Sequence, residues 1–501
     1  MLCGCSTIQE TVFHKDEQIT NSKQLEGKTI GIITGSIYED YIKNNFKNSK
    51  IVYVNSRPEL ILALKANKID SFLTDGYIAE LFASSDDELY LLNENFEEIN
   101  NAFCFSKRAL DLRDEFNAYL ANCKENGYLD YLEEKWVTNF SGKTRVEVPV
   151  FYGDRGTIEV LTSSDAMPMS FIADNSYQGY EIELFYSFCT YAGYVPNISN
   201  GNFDSIITGI VSNKYDVSFT GVTVTEERKK SVDFSDPVYT GYSKIVVLNH
   251  ENSNSIIAGG SNNKISFIDS FVDKFNKMFI EEERWLLLLH GIRITFEITI
   301  ASLFIGTFLG FIIYLICRKS NPILRKIFDR LSFIINRIPT ILILMFLFYI
   351  VFSTSSIAGE YVSIIGFSLI ETLSVYSMLN NGIDAIDKGQ TDAALALGYS
   401  DTKTLFKFVL PQALKIIMPS YKSDVVSLIK STSIVGYITV EDLTRVSDII
   451  RSRTYEAFFP LFVSAIVYFA LAWLLSLIVE KIQNKVLPSE KTQDQIISKY
   501  K

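Results

Sequence analysis

The chain has 501 residues, room for two or three domains, and apolar and charged fractions ordinary for a folded protein. Its net charge of -11 disfavours nucleic acid, because phosphate binding needs Lys and Arg in surplus on one face. His14, His250 and His290 lie far apart, and the six cysteines show no CxxC spacing, so no metal, cofactor or histidine-dependent hydrolytic centre is expected.

Residues 1–23 read as a lipoprotein-like N-terminus and linker. Leu2-Cys3-Gly4-Cys5 has the form of a lipobox, with Cys5 as the lipidation site. The basic and apolar parts of a secretory signal belong before it. Either the true start lies upstream or the resemblance is chance; an upstream start is expected, because an exported domain needs a signal.

Residues 24–138 read as one lobe of a substrate-binding domain with its tail helices. From Leu25-Glu26-Gly27-Lys28-Thr29-Ile30-Gly31 to Tyr128-Leu129-Asp130-Tyr131-Leu132-Glu133-Glu134-Lys135-Trp136 they resemble the second lobe and tail of the bacterial amino-acid-binding proteins. That family has a two-lobed α/β clamshell, the type II periplasmic-binding-protein-like fold. The resemblance implies that Ser36 and the amide of Ile37, in Thr34-Gly35-Ser36-Ile37, donate to the substrate's α-carboxylate, and that Asp75 pairs with its α-ammonium. Gly27-Lys28-Thr29 and Gly142-Lys143-Thr144 look like the end of a phosphate-binding loop, but Ser22 and Val137 stand where the first glycine belongs, so neither marks an ATPase. Cys104, Cys123, Cys189 and Cys317 read as small buried residues, with a Cys104–Cys123 bridge left open for a domain outside the cell.

After a linker at 139–156, residues 157–248 resemble the first lobe of the same family. The match is strongest in Phe219-Thr220-Gly221-Val222-Thr223-Val224-Thr225-Glu226-Glu227-Arg228 and Val232-Asp233-Phe234-Ser235-Asp236-Pro237. It implies that Arg228 clamps the α-carboxylate, that Thr223 adds a hydroxyl donor, that the carbonyl of Gly221 accepts from the ammonium, and that Phe203 packs on the ligand's side chain. A planar guanidinium fork suits a carboxylate's two oxygens. Ser163 and Ala166 stand where the family often has an acidic residue and an aromatic, so the pocket is altered. Asp165 reads either as a ligand contact or as a turn residue. The order second lobe, tail, first lobe is rotated relative to the family, and a single circularly permuted clamshell is expected, since domain ends usually lie close together at the surface.

Residues 249–290 read as a linker and an amphipathic interfacial helix carrying Phe267, Phe271, Phe275, Met278 and Phe279. Residues 291–485 read as an all-α membrane domain with spans at 298–317, 338–358, 361–383, 423–440 and 457–479. Asp424 and Lys430 make the fourth the weakest. Arg318, Lys319, Arg325 and Lys326, then Lys388, Lys403, Lys407 and Lys415, then Lys481 and Lys485 mark cytoplasmic loops, and 486–501 is a cytoplasmic tail. Everything before residue 290 then lies outside the cell, although Arg445, Arg451 and Arg453 run against the rule. Gly306 and Gly310 either admit a close helix or are ordinary membrane glycines. Glu371 lines either the path or a helix interface.

Between the third and fourth spans, Gly389-Gln390-Thr391-Asp392-Ala393-Ala394-Leu395-Ala396-Leu397-Gly398 and then Val409-Leu410-Pro411-Gln412-Ala413-Leu414 resemble the EAA loop of amino-acid ABC importer permeases of type I, with Asp392 where Glu is usual. The resemblance, extending over 265–485, implies an ATPase-coupling helix at Asp392, Ala393, Ala394, Gly398 and Pro411. Small Ala393 and Ala394 would seat in a groove of the partner, and Gly398 would free the backbone to turn. The reading is a bacterial cytoplasmic-membrane permease, fused to an extracellular binding domain, that imports an amino acid with a separate ATP-binding cassette subunit. A homodimer is expected, with a second, different permease subunit as the alternative. The rival functions are a ligand-gated channel, which would need a re-entrant filter, and a sensor, which would need a signalling domain.

Overall fold

The computed structural model describes residues 18–249, 272, 275–319, 322–353, 355, 357–454 and 458–486. Cys5, Phe267, Phe271 and the tail beyond 486 lie outside them.

The chain opens with β1 (Thr29–Ile33), α1 (Tyr38–Asn45), β2 (Lys50–Val54), α2 (Arg57–Lys65), β3 (Ser71–Asp75), α3 (Gly76–Ser85), β4 (Leu89–Leu91) and β5 (Glu98–Asn101). There follow β6 (Cys104–Phe105), α4 (Leu110–Glu125), α5 (Tyr128–Glu133), β7 (Thr157–Thr162), β8 (Asp165–Ala166), β9 (Ser170–Ala173), β10 (Ser176–Gln178), α6 (Tyr180–Ala192) and β11 (Val195–Asn200). Then come α7 (Ser205–Val211), β12 (Val217–Ser218), α8 (Glu226–Lys229), β13 (Asp233–Phe234) and β14 (Tyr239–Leu248).

These elements fall into two compact units. Among the described residues the first holds 18–101 and 237–249, and the second holds 102–236 and everything from 272 onward. In the first unit the sheet runs β2-β1-β3-β14-β4, with β5 also paired to β14. β1, β2 and β3 are mutually parallel and β14 is antiparallel to them. β3 is buried at every position, as expected of a parallel strand covered on both faces. In the second unit the order is β11-β7-β12-β6-β13, and here β6 is the antiparallel strand.

The two units divide at 101/102 and 236/237, where the sequence reading put lobe edges at 138 and 248. β14 buries Ile245, Val246 and Val247 in the sheet of the first unit, and the tail helices belong to the second. Phe116 of α4 stacks on Phe103 at 4.7 Å, and the indole of Trp136 donates to Glu183 of α6 at 2.6 Å. Each sheet thus takes its antiparallel strand from chain that has just left the other unit, an exchange that sequence similarity lobe by lobe does not reveal. Cys104 and Cys123 are both buried free thiols, so the bridge left open above is absent. The segment 139–156 is not a loose connection: Val146 exchanges hydrogen bonds with Gln178, and Arg145 pairs with Glu282 at 3.1 Å.

The membrane part comprises α9 (Arg284–Lys319), α10 (Pro322–Ile335), α11 (Thr340–Phe346) with a wider turn to Val351, and α12 (Gly359–Asp384). It continues with α13 (Lys388–Ala396), α14 (Asp401–Thr404), α15 (Leu410–Ser431), α16 (Leu443–Thr454) and α17 (Phe458–Val486). Among the described residues three helices are long and apolar enough to cross a bilayer, and a fourth crossing counts if α10 and α11, bent by 104°, act as one. The span expected at 423–440 begins earlier, at Leu410, and gives way to a tighter helix at Thr432–Ile438. Lys415, Lys422, Asp424 and Lys430 keep it from reading as a lipid-facing span; it packs against α12 and α17 instead.

Gly306 and Gly310 do admit a close helix. A Cβ on Gly310 would lie 2.7 Å from the carbonyl oxygen of Thr372, and one on Gly306 would overlap Glu371. Met278 and Phe279, expected on an interfacial surface, are buried with Val446, Ile450 and Phe459.

Candidate functional site

In the second unit, Thr225 caps α8 by accepting from the amide of Arg228 at 3.2 Å, so the short helix starts where the arginine is needed. The Arg228 Nη1 donates to the carbonyl of Thr223 at 2.7 Å, and the guanidinium stands 6.0 Å from the ring centre of Phe203. Arg228, Thr223 and Phe203 are thereby brought together. Gly221, two residues before Thr223, adopts φ +68°, and its N–H donates to both carboxylate oxygens of Glu181 at 3.0 and 3.1 Å. Ser163 is buried at the end of β7, and its hydroxyl donates to Asp165 at 2.5 Å.

In the first unit, Gly35 at φ +79° turns the chain from β1 toward α1, leaving Ser36 and Ile37 at the helix start, where backbone N–H groups have no partner within the helix. The Ser36 Oγ is buried without a hydrogen-bond partner among the described residues. Asp75 ends β3 and is 5% exposed; Tyr77 donates to one of its oxygens at 2.6 Å and Tyr38 to the other. Tyr38, next to Ile37, joins the Ser36–Ile37 turn to Asp75.

Three residues here escaped the sequence reading. Tyr38 and Tyr77 carry no local signal. Glu181 does: it shares a helical face with Leu184, Phe185 and Phe188, so a carboxylate sits in an apolar stripe and must find a donor inside.

In the membrane part, Asp387 caps α13 by accepting from the amide of Gly389 at 2.7 Å. Gly398 ends the turn at φ +86°, a conformation that disfavours residues with a Cβ. Asp392 and Ala393 are exposed, and Ala394 is buried. Leu397, 78% exposed, and Leu395 stand out beside it. Pro411 lies where the wider turn Leu405–Val409 runs on into α15, and it has no N–H to give to that helix. Arg445 and Arg451, which ran against the charge rule, are both buried, and Arg451 pairs with Asp448 at 2.7 Å.

Residues 158–340 match the bacterial extracellular solute-binding proteins, family 3, and residues 303–488 match the binding-protein-dependent transport system inner membrane component. A Rickettsia felis protein described as a glutamine transport system permease is 30% identical over 207 residues, 40% of this chain and 94% of that protein. The arginine transport system permease protein of Bacillus subtilis is 30% identical over 206 residues, 40% of this chain and 92% of its own length. The L-cystine transport system permease protein of Bacillus subtilis is 28% identical over 209 residues, 41% and 89%. The permease match starts inside α9 and covers α10 to α17, the helices that pack around Gly306, Glu371 and the α13 turn. This chain therefore belongs to the inner-membrane permeases of binding-protein-dependent transport systems, and carries a family 3 solute-binding segment in the same polypeptide.

Proposed function

We propose that the protein captures an amino acid outside the cell and imports it across the cytoplasmic membrane, driven by a separate cytoplasmic ATP-binding cassette subunit. The observation that carries this is Arg228, fixed by Thr223 beside the ring of Phe203, in a chain whose membrane half is a transport permease. Glutamine, arginine and cystine, named for the relatives, differ in side chain but share an α-carboxylate and an α-ammonium. In the second unit Arg228 and Thr223 hold the carboxylate; in the first, Ser36 and the Ile37 amide are carboxylate donors. In the second unit the Gly221 carbonyl accepts from the ammonium, Phe203 faces the side chain and Ser163 shapes the pocket; in the first, Asp75 is an ammonium partner. The unsatisfied Ser36 Oγ supports its role as a donor waiting for an acceptor.

The order of the two lobes along the chain is circularly permuted; the strand exchanges at 101/102 and 236/237 support this. Five crossings follow if α15 with its extension and the α10–α11 pair each count once, and two copies then build the pore. The turn around Asp392 to Gly398, with Pro411 behind it and Leu397 in front, docks on the ATPase. Uptake of labelled amino acids into vesicles bearing the full chain and its ATPase tests the reading. ATP-dependent accumulation is expected; no accumulation of any amino acid would overturn it.

A further inference from the structure

Within the second unit, the solute-binding lobe is built onto the outer end of the permease. Leu161, Ile206, Ile210 and Tyr215 share one buried cluster with Phe348, Ile438 and Val440. The Lys214 ammonium donates to the carbonyls of Ser355 and Ile357 at 2.6 and 2.8 Å, and the hydroxyls of Tyr215 and Thr439 lie 2.9 Å apart. At the centre is Arg445 of α16, 6% exposed. Its Nη2 donates to the Asn200 side-chain oxygen at 2.7 Å and to the Gly201 carbonyl at 2.6 Å, and its Nη1 donates to Asn202.

That loop is next to the ligand residues from two directions. Asn202 precedes Phe203. The Asn200 oxygen that Arg445 holds also accepts from the amide of Ser164 at 3.1 Å, and the Asn200 amide donates to the Ser164 hydroxyl at 3.0 Å, one residue beyond Ser163. Arg445 in turn follows the coupling turn along one continuous stretch of chain. α13 leads through α14 to α15, whose 22 residues measure about 33 Å, and through Thr432–Ile438 to α16.

We propose that Arg445 is a positioning residue for import. It holds Asn200, Gly201 and Asn202, and through them Ser163 and Phe203, in fixed register with the rod whose far end carries the ATPase turn. Pocket occupancy is thereby transmitted to the permease with this lobe seated throughout. A guanidinium is suited to the task, because its rigid fork fixes several acceptors at once whereas an ammonium holds them as a point charge. The inference rests on the import reading, and wild-type uptake is the control that separates the two: if the wild type accumulates no amino acid, the import reading fails, not the strut.

The test uses the full chain with its ATPase in membrane vesicles, with a 14C-labelled mixture of the common L-amino acids as probe, and binding of the same mixture measured on the solubilised chain. Arg445→Gln is expected to lower uptake about tenfold or more while binding changes by less than about threefold, a split that general destabilisation does not produce. Arg445→Lys should recover part of the uptake. Wild-type uptake by Arg445→Gln would overturn the proposal. If that variant does not accumulate or loses binding, the exchanged pair Asn202→Lys with Arg445→Glu decides: uptake above either single variant supports the strut, and uptake no better than the worse single variant overturns it.

Discussion

Gly306 of α9 faces Glu371 of α12 so closely that a Cβ built on the glycine would fall 2.4 Å from the Cβ of the glutamate. The two helices meet backbone to backbone along Gly306 and Gly310, the approach that small residues a turn apart permit. Gly306→Val should lower the thermal midpoint of the purified protein, with an overpacking cost of about 1–3 kcal/mol. An unshifted midpoint would mean that the helices stand farther apart.

Glu181 is a second buried carboxylate, held on the amide of Gly221. Glu181→Ala leaves that amide without its acceptor, at a cost of about 1–3 kcal/mol, and frees the turn that carries Thr223 toward Arg228. Amino-acid binding should weaken together with stability. Calorimetry on the same samples checks both, and intact affinity would detach Glu181 from the site.

The carboxyl of Asp204 is pushed above the usual range by burial, only partly countered by the backbone amide of Ser205 and by Arg445. A carboxyl with a raised folded-state pKa binds its proton better folded than unfolded, so its contribution is greatest at acid pH and is lost as pH rises through the folded value. Asp204→Asn should therefore raise the thermal midpoint at neutral pH, and the gain should shrink as pH falls toward the ordinary carboxylate range. A gain that grew on acidification would have the wrong sign.

On the cytoplasmic side, Leu397 protrudes from the turn ended by Gly398. Leu397→Asp should reduce co-purification of the ATPase subunit and ATP-driven uptake, about tenfold if this leucine anchors the contact, while amino-acid binding stays as in the wild type. Undiminished co-purification would move the docking surface elsewhere.

What the sequence made legible were features carried by short contiguous strings: the Asp392-to-Gly398 turn, the Thr223-to-Arg228 segment, and the long apolar runs of α9, α12 and α17. What it hid were pairings between distant segments. β14 reads as the end of the 157–248 lobe, yet it lies in the first unit, where it pairs with β3, β4 and β5, because antiparallel pairing is decided by which edge is open, not by proximity in sequence. Arg445 looked like a violation of charge topology; its charge is spent inside the protein on Asn200, Gly201 and Asn202, where no loop-counting rule can see it. Tyr38 and Tyr77 converge on Asp75 from two helices, and nothing in either string announces it.

Everything proposed for the outer half depends on one guanidinium receiving a carboxylate that all α-amino acids share. Titration of the full solubilised chain with each common L-amino acid, wild type against Arg228→Ala, tests it most directly. At least one amino acid should bind the wild type, and the variant should lose about a hundredfold or more in affinity for every ligand alike, whatever its side chain, as expected when a charge-assisted bidentate pair is removed. Affinity retained for any of them in Arg228→Ala would contradict the account.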